Sequence, residues 1–301
     1  MIDEVSKIME LLDNPNVDGE TVKKLFQKYP VDIKIDRVKE GSGSTDFLKI
    51  IIPSNKDSRI LGIIGQLGGV SAYPEVKGLV SDADGAIVAL SSALKLAKMK
   101  EKGIELEGDV IITTHICPDA PIVPHDPVPF MDSHVSTKKS NKYLVDERMD
   151  AIISIDATKG NRIHNQNGFA ITPTIKDGWI LKVSEDLLDI QERVTGEPPS
   201  TLTTTMQDIT PYGNDIHHIN SIFQPGIASN APLVGVATTS VSPVPGSATG
   251  SNYEEDLVKA SKFVVEVAKD FISGKIEFYD EKELKRLKKL YGPIERLQGK
   301  S

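Results

Sequence analysis

The sequence predicts an α/β fold on an open, mixed and mostly parallel sheet, and three observations predict it. An acidic turn, Asp82 to Gly85, opens into an apolar run from Ala86 to about Met99 that reads as a long buried helix. After a charged linker comes Asp109 to Ala120, a β-branched strand that ends on polar residues. Two further short runs, Leu61 to Gly65 and Ala151 to Ile155, are almost wholly apolar, as strands buried inside a sheet are. Ligand sites in open α/β sheets form outside the carboxyl ends of the strands, so the polar tips are where function is sought.

In chain order, Val5, Ile8, Met9, Leu11 and Leu12 recur at helical spacing until Asn14-Pro15-Asn16 stops the helix. Asp18 is the N-cap expected for a second helix carrying Val22, Leu25 and Phe26 inward. Val31, Ile33 and Ile35 alternate with charged residues, the pattern of a half-buried strand; Gly41 to Ser44 turns the chain into a strand over Phe47 to Ile52. Beyond the central helix and the strand Val110 to Ile116, the segment Cys117 to His134 carries five prolines among histidines and aspartates. It is expected to be a stiff loop rather than helix or strand. Ala151 to Ile155 is tipped by Asp156, and Ile180 to Val183 is an outer-strand candidate. Ser184 opens a helix that Gly196-Glu-Pro-Pro199 closes. Gln207 to His218 is a second polar loop, with His217 beginning an apparent helical turn. Leu233 to Ala237 is another strand, Pro243 to Gly250 a small-residue loop, and Tyr253 to Phe271 an amphipathic helix. No internal repeat or clear inter-domain linker interrupts the 301 residues.

Bulk properties exclude several classes. A formal charge of −8 opposes general nucleic-acid binding, which needs a positive surface. The most basic stretch, Lys282 to Lys289, reads as a solvated amphipathic helix. One cysteine rules out an internal disulfide and suits a reducing compartment. No secretory leader and no apolar run of membrane-spanning length is visible. The expected location is cytoplasmic, with no membrane or nucleic-acid partner and with homo-oligomerisation left open.

Around the strand tips, Gln66-Leu-Gly-Gly69 offers glycines for close backbone approach to a ligand, though an ordinary turn is the simpler reading. Cys117 reads either as a nucleophile with His115 or His125 as its base, or as a small buried hydrophobe.

The run Gly78 to Asp119 resembles the core of the co-catalytic zinc peptidases, whose fold is a phosphorylase/hydrolase-like αβα sandwich. The chain as a whole more closely resembles the prokaryotic family DUF1177. The marks are Ser44-Thr-Asp46, Ser81-Asp-Ala-Asp-Gly85, Thr114-His-Ile-Cys-Pro-Asp-Ala-Pro121 and Gln207-Asp-Ile-Thr-Pro-Tyr-Gly213. The resemblance implies a three-layer αβα sandwich with a mixed, mostly parallel sheet. It would span 1–301 as one zinc-peptidase-like domain, with an N-terminal helical segment over about 1–30. Carried over by position, Asp82 matches the peptidases' bridging aspartate, Asp119 a ligand carboxylate and Asp156 the ligand at the next strand. Gln66 stands where a ligand histidine would be, Pro118 where the general base would be, and Pro245-Gly-Ser-Ala248 where the last histidine would be.

The expected function is therefore a metal-dependent hydrolase of a small amide-, peptide- or lactone-like substrate. Asp82, His115, Asp119 and Asp156 would hold a divalent ion, since imidazole with carboxylate suits zinc, manganese or iron. His125 and Asp126 would handle the proton, and Gln66, Gly68, Gly69, Asn161 and Asn214 would contact substrate. The alternative is a non-catalytic small-molecule or peptide-binding pseudoenzyme of the same fold.

Overall fold

A computed structural model describes residues 1–292 and 294, apart from 42, 67, 73–75, 77, 125–129 and 243–250. His125, Asp126 and the loop Pro243 to Gly250 therefore lie outside the described residues.

Two short helices, α1 (Ile2–Leu12) and α2 (Gly19–Phe26), lead the chain, and Asp18 caps α2 by accepting from the Thr21 amide at 2.8 Å. An antiparallel hairpin follows, β1 (Asp32–Glu40) and β2 (Gly43–Ile52). Arg37 grips Asp46 across it with two bonds of 2.6 and 2.7 Å, a fork-on-carboxylate pair that fixes the register. The central unit is β3 (Leu61–Gly65), α3 (Asp84–Glu101) and β4 (Val110–Ile116), as the apolar runs require. The proline-rich stretch departs from expectation: the segments flanking the undescribed 125–129 pair as a small ribbon, β5 (Ile122–Val123) with β6 (Phe130–Met131).

Helix α4 (Thr137–Leu144) had no signal in the apolar pattern, because it buries only Ser140, Asn141 and Leu144. Next come β7 (Ala151–Ala157), β8 (Gly168–Ile171), β9 (Ile175–Lys176), β10 (Trp179–Ile180) and α5 (Glu185–Thr195). Gly196 ends α5 at φ 72°, the left-handed C-cap for which glycine has no steric cost. Residues 217 and 218, read as a helical turn, lie in irregular chain. Strand β11 (Leu233–Thr239), α6 (Glu254–Ile272) and α7 (Glu281–Tyr291) complete the elements.

Nine strands make one mixed sheet in the order β1-β2-β4-β3-β7-β11-β9-β10, with β8 also on β11. Its centre, β4-β3-β7-β11, is parallel and its flanks are antiparallel. One face packs on α1, α3, α5 and α6 through the largest apolar cluster. The other packs on α4 and the irregular chain around Leu202, Ile209, Ile222 and Phe223. The α/β class and the mixed sheet are thus as the sequence predicts. Among the described residues no helix is long and apolar enough to cross a membrane.

Helix α3 is buried on nearly every side, and Ser91 and Ser92 lie at 0% exposure with hydroxyls that have no partner among the described residues. An unsatisfied buried hydroxyl is a net cost, and alanine is the better helix former. Ser91→Ala or Ser92→Ala is expected to raise stability by about 1 kcal/mol in urea unfolding; an unchanged or lower midpoint would contradict this.

Candidate active site at the carboxyl edge of the sheet

The four parallel strands end on one edge, at Gly65, Ile116, Ala157 and Thr239. Strand β3 continues through α3 to β4 on one side, whereas β7 continues towards β11 on the other. The chain therefore diverges between the ends of β3 and β7, where open α/β sheets leave a crevice.

Three aspartates meet there. Asp82 lies in the 3-10 turn Ser81–Ala83, Asp84 opens α3, and Asp156 is the penultimate residue of β7; all are 3% exposed or less. They reach the strand ends because α3 rests on the sheet backbone at two glycines. A Cβ on Gly85 would stand 2.2 Å from the Gln66 carbonyl and 2.6 Å from that of Ile155, and a Cβ on Gly65 would stand 2.5 Å from the Gly85 carbonyl.

The three carboxylates are not equivalent. Asp84 is fully paired: Lys159 Nζ lies 2.6 Å from its Oδ2, and the Thr238 hydroxyl and Asn252 amide each donate to it at 2.6 Å. Asp156 accepts from the Ser221 hydroxyl and the Ala157 amide, both at 2.6 Å. Asp82 accepts from the Gly69 amide, and its Oδ1 has no partner among the described residues. Burial, followed by the charges of Asp156 and Asp84, raises the Asp82 pKa well above the ordinary carboxylate range. Burial likewise raises Asp156 from 3.8 to about 6, against the lowering effect of its hydrogen bonds.

These shifts have a sign that can be tested. A carboxylate more basic in the folded state than in the unfolded chain favours folding while protonated, and that contribution is lost as pH rises from about 4 through about 6. For Asp156 the loss is on the order of 3 kcal/mol. Wild type minus Asp156→Asn, compared by urea unfolding in metal-free buffer at pH 4.5 and 7.5, should isolate it. The asparagine variant should gain on wild type at the higher pH, and equal pH profiles would contradict the assignment.

The remaining candidates separate. His115 points to the face covered by α4, 5.6 Å from the Phe47 ring, and its Nε2 accepts from the Gly68 amide at 3.0 Å. Nδ1 then carries the proton, and burial lowers the pKa to about 4, so the ring is neutral with no lone pair left for an ion. Gln66 is buried at 6% exposure, and its Nε2 has no partner among the described residues. Gly68 and Gly69 are glycine because backbone and carboxylate crowd them: a Cβ would lie 1.6 Å from the His115 carbonyl and 2.7 Å from Asp82 Oδ2, respectively. Asn161 and Asn214 brace local turns, accepting from the amides of Ile163 and His164 and of Ile216.

Asp119 is half exposed and lies with Cys117 and His134; these three present ligand atoms within 4.8 Å of one another. Among the described residues, no trio drawn from Asp82, His115, Asp119 and Asp156 does so. Burial pushes the Cys117 thiol up to about 11, which makes it a poor free nucleophile.

Sequence reasoning offered Asp84 as the alternative to Asp82 at the strand ends, and missed Lys159, Tyr212 and Ser221 as neighbours of this cluster. Tyr212 exposes much of its ring, but its hydroxyl bonds Ser221 and so extends the chain of bonds to Asp156. The polar loop that contains it is clasped by Asp208, which is 0% exposed and accepts from the amides of Thr205, Ile219 and Asn220. That gives the acid of Gln207 to Gly213 a structural role. A broad hollow at the opposite edge, lined by Arg59, Asp150, Lys176 and Phe278, is open to solvent and gathers no comparable set of buried acids.

Fold and site together define an α/β protein with an uncompensated buried carboxylate pair where its parallel strands diverge. The chain belongs to the family described as "Protein of unknown function (DUF1177)", whose profile matches residues 36–301. No curated protein matches the chain.

Proposed function

We propose that this chain is a metal-dependent hydrolase of a small amide-, peptide- or lactone-like substrate, organised as a single domain. The observation that carries the reading is Asp82. It is a carboxylate at 3% exposure with one oxygen unpartnered among the described residues, facing a second carboxylate, Asp156, while the nearby lysine is already committed to Asp84. Buried negative charge of this kind is neutralised either by protons or by a cation. A divalent ion (zinc, manganese or iron) drawn to Asp82 and Asp156 would activate a water and polarise the scissile carbonyl. The Tyr212 hydroxyl, which donates to Ser221, would keep a lone pair to accept a hydrogen bond from substrate, and Gln66 could donate one from just beyond β3. His115 and Asp119 are outside this set in the described conformation and would join only by rearrangement.

Because ion and proton compete for the same oxygens, zinc or manganese should stabilise the protein more at pH 8 than at pH 5.5. At a hundredfold excess over the dissociation constant the rise in Tm should be roughly 5 °C. Asp82→Asn/Asp156→Asn should fold, resist higher pH better than wild type and show no rise with manganese, which carboxylates hold better than thiolates do. Hydrolysis in a screen of small amides and lactones should disappear with it. No cation-dependent shift in wild type at either pH would overturn the proposal. A shift without hydrolysis would leave a cation-dependent binder and remove the hydrolase.

A further inference from the structure

We propose that Cys117, Asp119 and His134 form a separate zinc site, built on the exit of β4 and independent of the Asp82–Asp156 pair. Three observations meet there. The first is spacing. His134 Nε2 lies 3.4 Å from Asp119 Oδ1, and Cys117 Sγ lies 3.8 Å from the same oxygen. A tetrahedral zinc with ordinary bonds to nitrogen, oxygen and sulfur has N–O and S–O edges of about 3.4 and 3.6 Å. Both edges are therefore already present to within a few tenths of an ångström.

The second is what surrounds the sulfur. Cys117 is 1% exposed, yet its Sγ is approached by the backbone amides of Asp119 and His134. Two amides aimed at one sulfur would support the metal-binding thiolate once an ion offsets the burial that holds the free thiol protonated. Pro118, between the two ligands, removes one amide and stiffens the turn that delivers the next to the sulfur.

The third is how His134 is held. Its ring lies on Gly43 at the start of β2, where a Cβ would be 2.1 Å from the imidazole. Strand β2 runs antiparallel to β4, with Asp46 opposite Ile116, so the hairpin turn is brought to the carboxyl edge and buttresses the histidine. In the described arrangement Nε2 also lies 3.0 Å from the Asp119 carbonyl oxygen, a contact the ion would replace.

Thiolate, carboxylate and neutral imidazole together balance a divalent charge. Three protein ligands leave a fourth position for water or a substrate atom, the pattern of zinc sites that do chemistry rather than only hold structure. Asp119 is 52% exposed, so that position opens to solvent.

The test is cobalt substitution of the chelator-treated, refilled full chain. At this site wild type should bind one cobalt with tetrahedral visible bands and a near-ultraviolet thiolate-to-cobalt charge-transfer band, and zinc should bleach both. Cys117→Ser should lose the charge-transfer band. Because that residue is buried, Asp119→Asn and His134→Gln serve as folded surface variants, and each should weaken cobalt binding roughly tenfold or more. Gly43→Ala should weaken it by displacing His134 without altering a ligand. Asp82→Asn/Asp156→Asn should keep the charge-transfer band, so this site and the proposed hydrolase site fail or stand separately. Absence of a charge-transfer band in folded, cobalt-saturated wild type would overturn the proposal. So would cobalt binding that Asp119→Asn and His134→Gln leave unchanged.

Discussion

Gly85→Ala is expected to be among the most damaging single substitutions in this chain, although it replaces glycine by the best helix former inside a helix. In an exposed helix interior the same change stabilises by up to about 1 kcal/mol. Here the new methyl would meet the carbonyls of Gln66 and Ile155 at 2.2 and 2.6 Å. Neither can turn away. The Ile155 carbonyl accepts from the Gln66 amide at 2.8 Å, so both belong to the junction of β3 and β7. Overpacking against side chains that can yield costs about 1–3 kcal/mol; against fixed backbone the cost should exceed roughly 4 kcal/mol, near the upper end for point mutants. The expected result is a Tm lowered by about 10 °C, or insoluble protein, while Ser91→Ala in the same helix goes the other way. A Gly85→Ala variant within two or three degrees of wild type would show that α3 does not rest on the strand ends as described. Asp82 and Asp84 owe their burial to that contact.

The frame of the fold is legible because burial writes itself into pattern. Leu61 to Gly65 and, apart from His115, Val110 to Ile116 are apolar or β-branched because central parallel strands have no solvent face, and the first half of α3 lacks a charged face beyond Asp84 because neighbours enclose it. Asp18 and Gly196 mark helix ends because a cap answers a local need of the backbone. Helix α4 and the strands β8 to β10 are too short, or bury too few residues, to impose a period.

The candidate site was legible only in part, for a related reason. Strand ends place acids, so Asp82 and Asp156 could be named from position. Partners that arrive from loops distant in sequence could not. Lys159 meets Asp84 across 75 positions, Ser221 meets Asp156 across 65, and His134 reaches Asp119 by folding back over the ribbon. His115 suits an ion by residue type, but in the described arrangement an amide donor occupies its only free lone pair.

Lys159→Met should test how charge is apportioned among the three aspartates. Lys159 and Asp84 are 6% and 0% exposed at the side chain, and the pair is 2.6 Å apart, so solvent screens it little. Removing the lysine leaves Asp84 with two neutral donors, Thr238 and Asn252, and a buried charge without a counter-charge. Breaking a buried pair from one side costs about 3–5 kcal/mol, most of it the penalty of the stranded partner. Asp84→Asn in the same chain should recover part of that loss. The double-mutant cycle should give a coupling of about 2–3 kcal/mol at pH 7 in urea unfolding. A single-variant cost below about 1 kcal/mol would mean that water reaches Asp84 and that the cluster is not the dry site described. The same variant bears on function. With Lys159 gone, three carboxylates rather than two lack compensation, so zinc or manganese should raise the Tm of Lys159→Met by more than that of wild type. An equal or smaller rise would mean that added cations do not reach the Asp82–Asp156 pair, and the metal-dependent reading of this edge would fall with it.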